Sequence, residues 1–405
     1  MTRRFRTPLM AFLSLLAVAL AATASPAAAH GPPKPQPLVI QKQGNFFVGG
    51  THNSEDRIVG QMFVEYQIPA DLKHPYPIIL VHGGGQIGIG WNTTPDGREG
   101  WTQYFLRRGY AVYVVDQAGR GRSPYDSTLG PLGNAGNSLT VRQRFAQFEK
   151  FDLWPAAHLH TQWPGKAVNG NPAFEQFLSS QSDAITTAPL QEQLTADGLV
   201  ALLDKIGPSI IIPHSQPGSS AWLVADRRPN LVKALVQIEP GGPPVYRDLP
   251  LSFSPGPTFA WGLTRNPITY SPPVTDPSQL AFERVSISGD PYVSSVFLQV
   301  PPARKLPNLA KVPILLLSSP SGYNTLWDPG TDRFLTQAGV PHTWLKLQDI
   351  GIYGNGHFMF IEKNSDQVAG VVLKWIEKTV KPKNDPHDGH GHYAENDHGG
   401  GYPHH

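Results

Sequence analysis

The chain of 405 residues contains no cysteine, so disulfide bonds, thiolate nucleophiles and cysteine-based metal sites are excluded. Charged side chains are also sparse, at 16% of the residues, and the formal net charge is only +2. Neither a nucleic-acid surface nor a strongly acidic partner is therefore expected. Outside Leu9–Ala22 there is no apolar run that approaches the length of a membrane span.

Residues 1–29 have the features of a signal peptide. A basic start is followed by the apolar stretch Leu9–Ala22, and Ala27–Ala29 offers a small-residue cleavage site. The basic residues are Arg3, Arg4 and Arg6. We expect an exported protein, periplasmic or secreted, without a retained membrane anchor, because no stop-transfer pattern follows the apolar stretch.

Two more terminal segments are predicted to lie outside the folded domain. Residues 30–44 form a proline-rich leader, and residues 381–405 contain six of the 15 histidines among Gly, Asp and Pro. Such a composition predicts a disordered tail, although a histidine-rich tract can also bind metal. Residues 45–380 are assigned to one domain, since 40% hydrophobic content is sufficient for one large core.

Apolar runs of strand length alternate with helical stretches from residue 77 onward. Strands are predicted at Pro77–Val81, Tyr110–Val115, Ser209–Ile212, Lys233–Ile238, Pro313–Leu317 and His342–Leu347. Helices are predicted at Trp101–Arg108, Thr195–Ile206, Ser219–Arg228, Thr331–Ala338 and Gln367–Thr379. This alternation predicts an α/β fold with a mostly parallel central sheet covered by helices on both faces. The polar–apolar alternation of residues 39–68 indicates an antiparallel start.

Two insertions, at about 125–190 and 243–308, interrupt the alternation. We interpret them as a cap over a ligand site at the carboxyl ends of the strands, with ordinary surface elaboration as the alternative. Their aromatic residues are candidates for a pocket wall, and core packing is the other explanation. These residues are Trp154, His158, Trp163, Tyr270 and Tyr292.

Ser215 is the candidate nucleophile, because it follows an apolar strand and precedes a helix in the segment Ile210–Gly218. A serine hydroxyl needs a base, and the base needs an acid to hold its tautomer. His357, in a glycine-rich loop before the last helix, is the candidate base. Glu239 directly follows the next strand and is the candidate acid. Two rivals for the acid, Asp328 and Asp332, follow a later strand.

Backbone donors for a developing oxyanion are predicted at two places. The glycines that follow the first buried strand allow a backbone N–H to turn toward the serine, and we assign this role to Gly84, with Gly85 as the alternative. The second donor is the N–H of Gln216, the residue after the nucleophile. No cofactor and no metal ligand is predicted for the site.

The serine turn departs from the usual small-x-Ser-x-small pattern. Pro213 and Pro217 occupy the two small positions, and Gly218 follows one residue later. Proline at 217 suits the first turn of a helix. Pro213 removes a backbone donor near the end of a central strand, and the sequence offers no reason for it.

Two segments resemble a group of bacterial serine esterases in the α/β-hydrolase superfamily, the group typified by esterase 713. One segment runs from His82–Gly85 into Trp91–Trp101, and the other is His214–Gln216. The resemblance covers about residues 45–380. Some members carry adjacent cysteines at the positions of Gly84 and Gly85, so no disulfide is carried over to this chain.

The resemblance implies an α/β-hydrolase fold in which Ser215 is the nucleophile, Glu239 the acid and His357 the base. It also implies an exported homodimeric esterase that cleaves a small-molecule ester. Lactones and amides are alternative substrates of the same site. Functions of other classes are a non-catalytic exported binding protein on this fold and a metal-handling protein built around the tail.

Overall fold

The computed structural model describes residues 37–133, 135–247 and 255–380. The predicted signal peptide and histidine-rich tail lie outside these residues. Contacts between Cα atoms gather Leu38 and the described residues after it into one unit. Within the three described ranges, no helix combines the length and apolar character that crossing a membrane requires.

A central sheet of eight strands organises the described residues. Its strands are β1 (Ile40–His52), β2 (Ile58–Pro69), β3 (Ile78–Val81), β4 (Val112–Asp116), β5 (Ser209–Pro213), β6 (Val232–Ile238), β7 (Ile314–Ser318) and β8 (Thr343–Lys346). Their order in the sheet is β1-β2-β4-β3-β5-β6-β7-β8. The first two strands are antiparallel, and β3 to β8 run parallel to one another. The predicted mostly parallel sheet is therefore confirmed.

Helices cover both faces of this sheet, because side chains of each buried strand alternate between two apolar cores. The helices are α1 (Trp101–Leu106), α2 (Ser138–Val141), α3 (Pro172–Ser179), α4 (Ala188–Ile206), α5 (Gly218–Arg227), α6 (Asp328–Gln337) and α7 (Ser365–Thr379). Ile79 and Val81 of β3 join the core that packs against α4 and α5. Ile78 and Leu80 join the core beneath α1 and α7. This two-sided burial gives the predicted α/β arrangement of a central sheet between two layers of helices.

Two boundaries differ from the sequence prediction by more than three residues. The predicted leader extended to residue 44, but β1 begins at Ile40, because its pairing with β2 continues back to Pro69. Helix α4 begins at Ala188 instead of Thr195. Its first turn carries a proline, which fits there without losing a helical hydrogen bond, and the polar Gln191 and Glu192 are buried on it. Because these buried residues are polar, the start of the helix lacks the apolar periodicity on which the prediction depended.

The two insertions contain only short elements. Short strands lie at Leu132–Gly133, Ala184–Ile185, Tyr246–Arg247, Gly256–Pro257, Phe282–Ser286 and Ser295–Gln299. Within the insertions, single turns of 3-10 helix lie at Ser127–Leu129, Phe148–Lys150, Ala157–Leu159 and Pro277–Gln279, and Arg142–Ala146 forms a π turn. Elsewhere, 3-10 turns lie at Gly88–Trp91, Leu309–Lys311, Tyr323–Leu326 and Leu347–Ile350. Both insertions leave the sheet near its carboxyl edge, after β4 and after β6.

Candidate active site

Ser215 lies in the sharp turn between β5 and α5, with a backbone φ of 65°. This left-handed conformation is uncommon for a residue other than glycine and is held here by hydrogen bonds on both sides of the residue. The Ser215 N–H donates to Ile238 O (3.0 Å), and its carbonyl accepts from Gly218 N (3.0 Å) and Gly241 N (2.7 Å). The side chain thereby faces a cavity at the sheet edge and is partly buried there.

The structure explains the two departures in the serine turn. The β5–β6 ladder ends at Ile211 and resumes only as a bridge between His214 and Ile238, so Pro213 falls in a gap where no ladder donor is needed. Gly218 is required one position later than usual. A Cβ atom there would lie 2.6 Å from Pro240 Cβ, so only glycine lets α5 start against the loop after β6.

The side chains of Glu239 and His357 contact each other beside this turn. His357 Nδ1 lies 2.7 Å from Glu239 Oε2, and both side chains are almost completely buried. The other carboxylate oxygen accepts hydrogen bonds from the Ser319 N–H (2.8 Å) and from the Ser319 hydroxyl. A Cβ at Gly322 would lie 2.7 Å from this carboxylate, so glycine is needed there. The acid is therefore fixed in orientation by groups on a neighbouring loop.

Neither rival carboxylate contacts His357. Asp328 is buried and accepts hydrogen bonds from the Ser318 hydroxyl and from Asn324 Nδ2 (3.0 Å). Asp332 pairs with His342 Nε2 at 3.1 Å. Of the three candidate acids, only Glu239 is positioned to hold the imidazole of His357.

The Ser215 side chain is hydrogen-bonded to the Tyr323 hydroxyl. Among the hydrogen bonds of the described residues there is none between Ser215 and His357. Tyr323 also packs against the imidazole, with a distance of 4.4 Å between ring centroids. Tyr323 thus contacts both candidate catalytic groups, and sequence reasoning missed it because it lies in a 3-10 turn that carries no motif.

The predicted oxyanion donors face one another across the same edge. A Cβ added to Gly84 would lie 3.5 Å from Gln216 Cβ, so the two segments are neighbours. Among the described residues, no hydrogen bond uses the backbone N–H of Gly84, Gly85 or Gln216 as its donor. All three residues line the cavity that contains Ser215. The backbone N–H groups of Gly84 and Gly85 therefore both remain candidate oxyanion donors, together with the N–H group of Gln216.

Arg120 connects the two donor segments. Its Nη1 donates to Gly83 O (3.0 Å), and its Nη2 donates to the side-chain Oε1 of Gln216 (2.7 Å). The side chain is buried, at 1% exposure, and burial lowers its pKa to about 10. A guanidinium can hold two acceptors in a fixed geometry, so Arg120 sets the spacing of the two segments. No motif in the sequence indicates this role.

The loop that carries His357 is fastened at several points. The ring nitrogen Nε2 of His214 lies 2.9 Å from the His357 carbonyl oxygen, so it donates to that oxygen. The carboxylate of Glu362 accepts from Gly356 N (3.0 Å) and lies 2.8 Å from His160 Nε2. His160 belongs to the first insertion. The insertion is therefore attached to the loop that positions the imidazole.

Burial shifts the pKa values of the Glu239–His357 pair. Burial raises the pKa of Glu239 to about 7, although hydrogen bonds from Ser319 oppose the rise. Burial, with a smaller effect of the Arg144 charge, lowers the pKa of His357. Both shifts disfavour charge on the isolated groups. The imidazole is therefore neutral near pH 7, which is the form that can accept a proton.

Ser215 opens into a cavity of about 300 Å³. Its aromatic wall residues are Phe145, Phe259, Tyr323 and Trp327, and the first two of these come from the two insertions. The aromatic residues singled out from the sequence lie elsewhere: Trp154, Trp163 and Tyr270 are buried in apolar cores, Tyr292 packs beside one of them, and His158 is exposed. For these five residues the pocket-wall prediction was wrong, and all of them except His158 serve in core packing, the alternative explanation.

Comparison with known proteins identifies relatives. A fungal protein named "Probable secreted lipase phiG" (Fungal sp., strain ATCC 74256) is 40% identical over 334 residues, which is 82% of this chain and 89% of the relative. The structure is also similar to that of a novel bacterial esterase solved at atomic resolution, with a TM-score of 0.55 and 24% identity. This match covers 87% of this chain and 100% of the esterase.

No protein-family model matches the chain. The likeness to the bacterial esterase shows the fold, and the extended identity to the fungal protein shows the family. Together with the strained serine turn, the two-sided parallel sheet and the buried Glu–His pair, these likenesses agree with the resemblance drawn from the sequence. The chain therefore belongs to the family of its fungal lipase relative, and it has the α/β-hydrolase fold.

Proposed function

We propose that this protein is an exported hydrolase that cleaves carboxylic esters through an acyl-enzyme intermediate, with Ser215 as nucleophile, His357 as base and Glu239 as acid. The observation that carries the proposal is the buried 2.7 Å contact between His357 and Glu239 beside the strained Ser215 turn. The name of the fungal relative supports both ester hydrolysis and secretion, and the composition of residues 1–29 supports export.

In the first half-reaction, Ser215 Oγ forms a bond to the ester carbonyl carbon while its proton moves to His357 Nε2. Because His357 Nδ1 faces Glu239, that nitrogen carries the proton of the neutral imidazole and leaves the Nε2 lone pair for Ser215. The negative charge that develops on the carbonyl oxygen is stabilised by the N–H groups of Gly84 and Gln216. The carbon–oxygen bond to the alcohol then breaks, and the alcohol takes its proton from His357.

In the second half-reaction, water repeats these steps on the acyl-enzyme. His357 removes a proton from the water as its oxygen bonds to the acyl carbon, and the bond to Ser215 Oγ breaks. The serine recovers its proton from His357, and the carboxylic acid leaves. Glu239 keeps its negative charge throughout and stabilises the imidazolium that forms twice in each cycle.

A change in the hydrogen-bond partner of Ser215, which involves Tyr323, precedes the acyl transfer. The Tyr323 hydroxyl is hydrogen-bonded to the Ser215 side chain. Catalytic hydrogen bonds often tighten only in the substrate complex, so we expect Ser215 to exchange this partner for His357 when a substrate binds. The Tyr323 hydroxyl is then available to the alkoxy or carbonyl oxygen of the ester.

A covalent serine label tests the proposal. A fluorophosphonate probe is expected to modify Ser215 of the purified protein, identified by peptide mass, and S215A is expected to remain unlabelled. Turnover of a simple ester by S215A should fall by about 10⁴-fold or more. The matched control is S220A, since Ser220 lies in α5 and is not part of the cavity lining.

Near-normal turnover by S215A, or labelling at another serine, would contradict the proposal. Labelling of Ser215 without turnover of any ester in an alkyl and aryl panel would keep the nucleophile but refute ester hydrolysis, and would direct the search to lactones and amides.

A further inference from the structure

The cavity beside Ser215 is lined by three arginine side chains, those of Arg144, Arg247 and Arg265. No aspartate or glutamate occurs among the described residues that line this cavity. Arg144 comes from the first insertion, and the other two come from the second. Three like charges in a small, half-buried space repel one another, so packing alone does not favour this arrangement.

The three guanidinium groups are close enough to influence one another. Burial lowers the pKa of Arg247, and the charges of Arg265 and Arg144 lower it further. Arg144 also acts on the candidate base, since its charge contributes to the lowered pKa of His357. The positive potential is therefore concentrated beside the reacting groups.

A buried carboxylate behind the cavity pairs with one of these three arginines. Glu192 on α4 accepts from the backbone N–H of Arg265 (2.9 Å) and lies 3.5 Å from its guanidinium Nη1. Glu192 is absent from the lining of the cavity, so this carboxylate orients Arg265 from behind. The face that Arg265 shows to the cavity keeps its cationic character.

The backbone around these arginines is held in unusual conformations. Arg144 lies in the π turn Arg142–Ala146, a local irregularity that is frequent at functional sites. Arg247 Nη2 donates to Gly242 O (3.2 Å), and its guanidinium lies 5.2 Å from the Trp327 ring centroid. Val245, two residues before Arg247, has a φ of 68°, which is an outlier for a β-branched residue. Strain of this kind persists where the surrounding structure imposes it, often around ligand sites.

We propose that the preferred substrate is a carboxylic ester that carries a second, ionised carboxyl group, such as a half-ester of a dicarboxylic acid, and that Arg144, Arg247 and Arg265 bind this carboxylate. The inference rests on the proposed ester hydrolysis and names its substrate class. Guanidinium groups match carboxylates in geometry and bind them through paired, charge-assisted hydrogen bonds. A cavity of about 300 Å³ is at the small end of ligand pockets, and it fits a short half-ester better than a long-chain lipid.

Two esters of nearly equal size and shape, one charged and one neutral, test whether the substrate's charge is recognised. Monoethyl glutarate carries the terminal carboxylate, and ethyl glutaramate carries a neutral amide in its place. The measurement is kcat/KM for ethanol release from each ester at neutral pH. For the wild-type protein we expect the anionic ester to be favoured by about tenfold to a hundredfold, the range of a hydrogen bond to a charged group.

The variant R247Q is expected to lose about tenfold in kcat/KM for monoethyl glutarate and less than about threefold for the amide. R247K keeps the positive charge but lacks the planar guanidinium group, so its kcat/KM for monoethyl glutarate should lie between those of R247Q and the wild type. The matched control is R142Q, because Arg142 lies in the same π turn as Arg144 but does not line the cavity. R142Q should keep the preference for the anionic ester.

Equal kcat/KM values for the two esters in the wild type would overturn this inference, and so would an equal loss for both esters in R247Q. Absence of turnover of both esters by a protein that is still labelled at Ser215 would also overturn it. Failure of the proposed function is a different result: S215A would then still cleave monoethyl glutarate, whatever the arginine variants do.

Discussion

The central sheet and the two insertions meet at the cavity beside Ser215, and they contribute different chemistry to it. The ends of β5 and β6 and the loop after β8 supply Ser215, Glu239 and His357, each fixed by hydrogen bonds to a neighbouring segment. The insertions supply aromatic walls and Arg144, Arg247 and Arg265. We infer that bond-breaking belongs to the strand ends, while substrate selection belongs to the chain between them. Substitutions in the two regions should therefore have different kinetic signatures.

The largest effect is expected for E239Q at the sheet edge. The amide keeps the shape of the carboxylate but removes the charge that stabilises the protonated His357, so kcat should fall by roughly 10³- to 10⁴-fold. The control is D328N. Burial raises the pKa of Asp328 well above its usual range, and an amide is a close substitute for a neutral carboxyl group. If D328N lost as much activity as E239Q, Glu239 would not be the acid.

The pH profile of kcat/KM is expected to show the next largest effect. Glu239 must be ionised to stabilise the imidazolium, and burial raises its pKa to about 7. The ionised form is lost as the pH falls through this value, so activity should drop by about fiftyfold between pH 7 and pH 5, approaching tenfold per pH unit at the acid end. Measurement of initial rates across this interval is the test. A flat profile down to pH 5 would show that Glu239 stays ionised there, and would contradict the raised pKa.

Removal of the connection between the oxyanion segments should have a smaller effect. In R120M the guanidinium that links Gly83 O and Gln216 Oε1 is absent, and a misplaced donor weakens transition-state binding. We expect kcat to fall by about tenfold to a hundredfold with little change in KM. The control R122M removes an arginine from the same loop that pairs instead with Asp116 and Glu65. A rise in KM with normal kcat in R120M would contradict this role.

The smallest effect is expected where the first insertion is attached to the His357 loop. Burial by itself lowers the pKa of His160, but hydrogen bonds to Glu149 and Glu362 outweigh burial and raise that pKa to about 9. The protonated ring stabilises the fold fully below its unfolded pKa of about 6.5, and this stability is lost as the pH rises through about 9.

Urea unfolding at pH 6.5 and pH 9 measures this contribution. The free energy of unfolding of the wild type should fall by a few kcal/mol more over this interval than that of H160Q, which cannot titrate at this position. Equal falls for the two proteins would show that the attachment does not depend on the charge of His160. Because His160 lies outside the cavity lining, the selectivity between the two glutarate esters should be unchanged in H160Q.

The same contrast explains what the sequence could reveal. Continuous apolar runs such as Ile78–Val81 and Ile210–Ile212 predict strands buried on both faces, and their ends predict where Ser215 and Glu239 come together. The serine turn, the glycine loop and the late histidine each depend on local sequence. Their positions along the chain favoured Glu239 over Asp328 and Asp332 without excluding either, and the contact with His357 is what distinguishes the three.

Residues that act through long-range packing were not predictable in this way. Arg120 and Gln216 are 96 positions apart, and Tyr323 contacts Ser215 from 108 positions away, through a turn without periodicity. The insertions carry no regular apolar pattern, so the aromatic residues chosen there by composition were the wrong ones. Composition shows that aromatic side chains are present, but only the fold shows which of them line the cavity.

The guanidinium of Arg120 donates hydrogen bonds both to the loop after β3 and to the turn after β5. The distance between the two proposed N–H donors, those of Gly84 and Gln216, should consequently be constant and should not change with the molecule that binds. Esters with acyl groups of different size should therefore encounter the same pair of N–H donors. A poor substrate would be one whose carbonyl oxygen cannot reach both donors. Broadening the range of accepted esters therefore calls for reshaping the walls while this buried cross-link is left untouched.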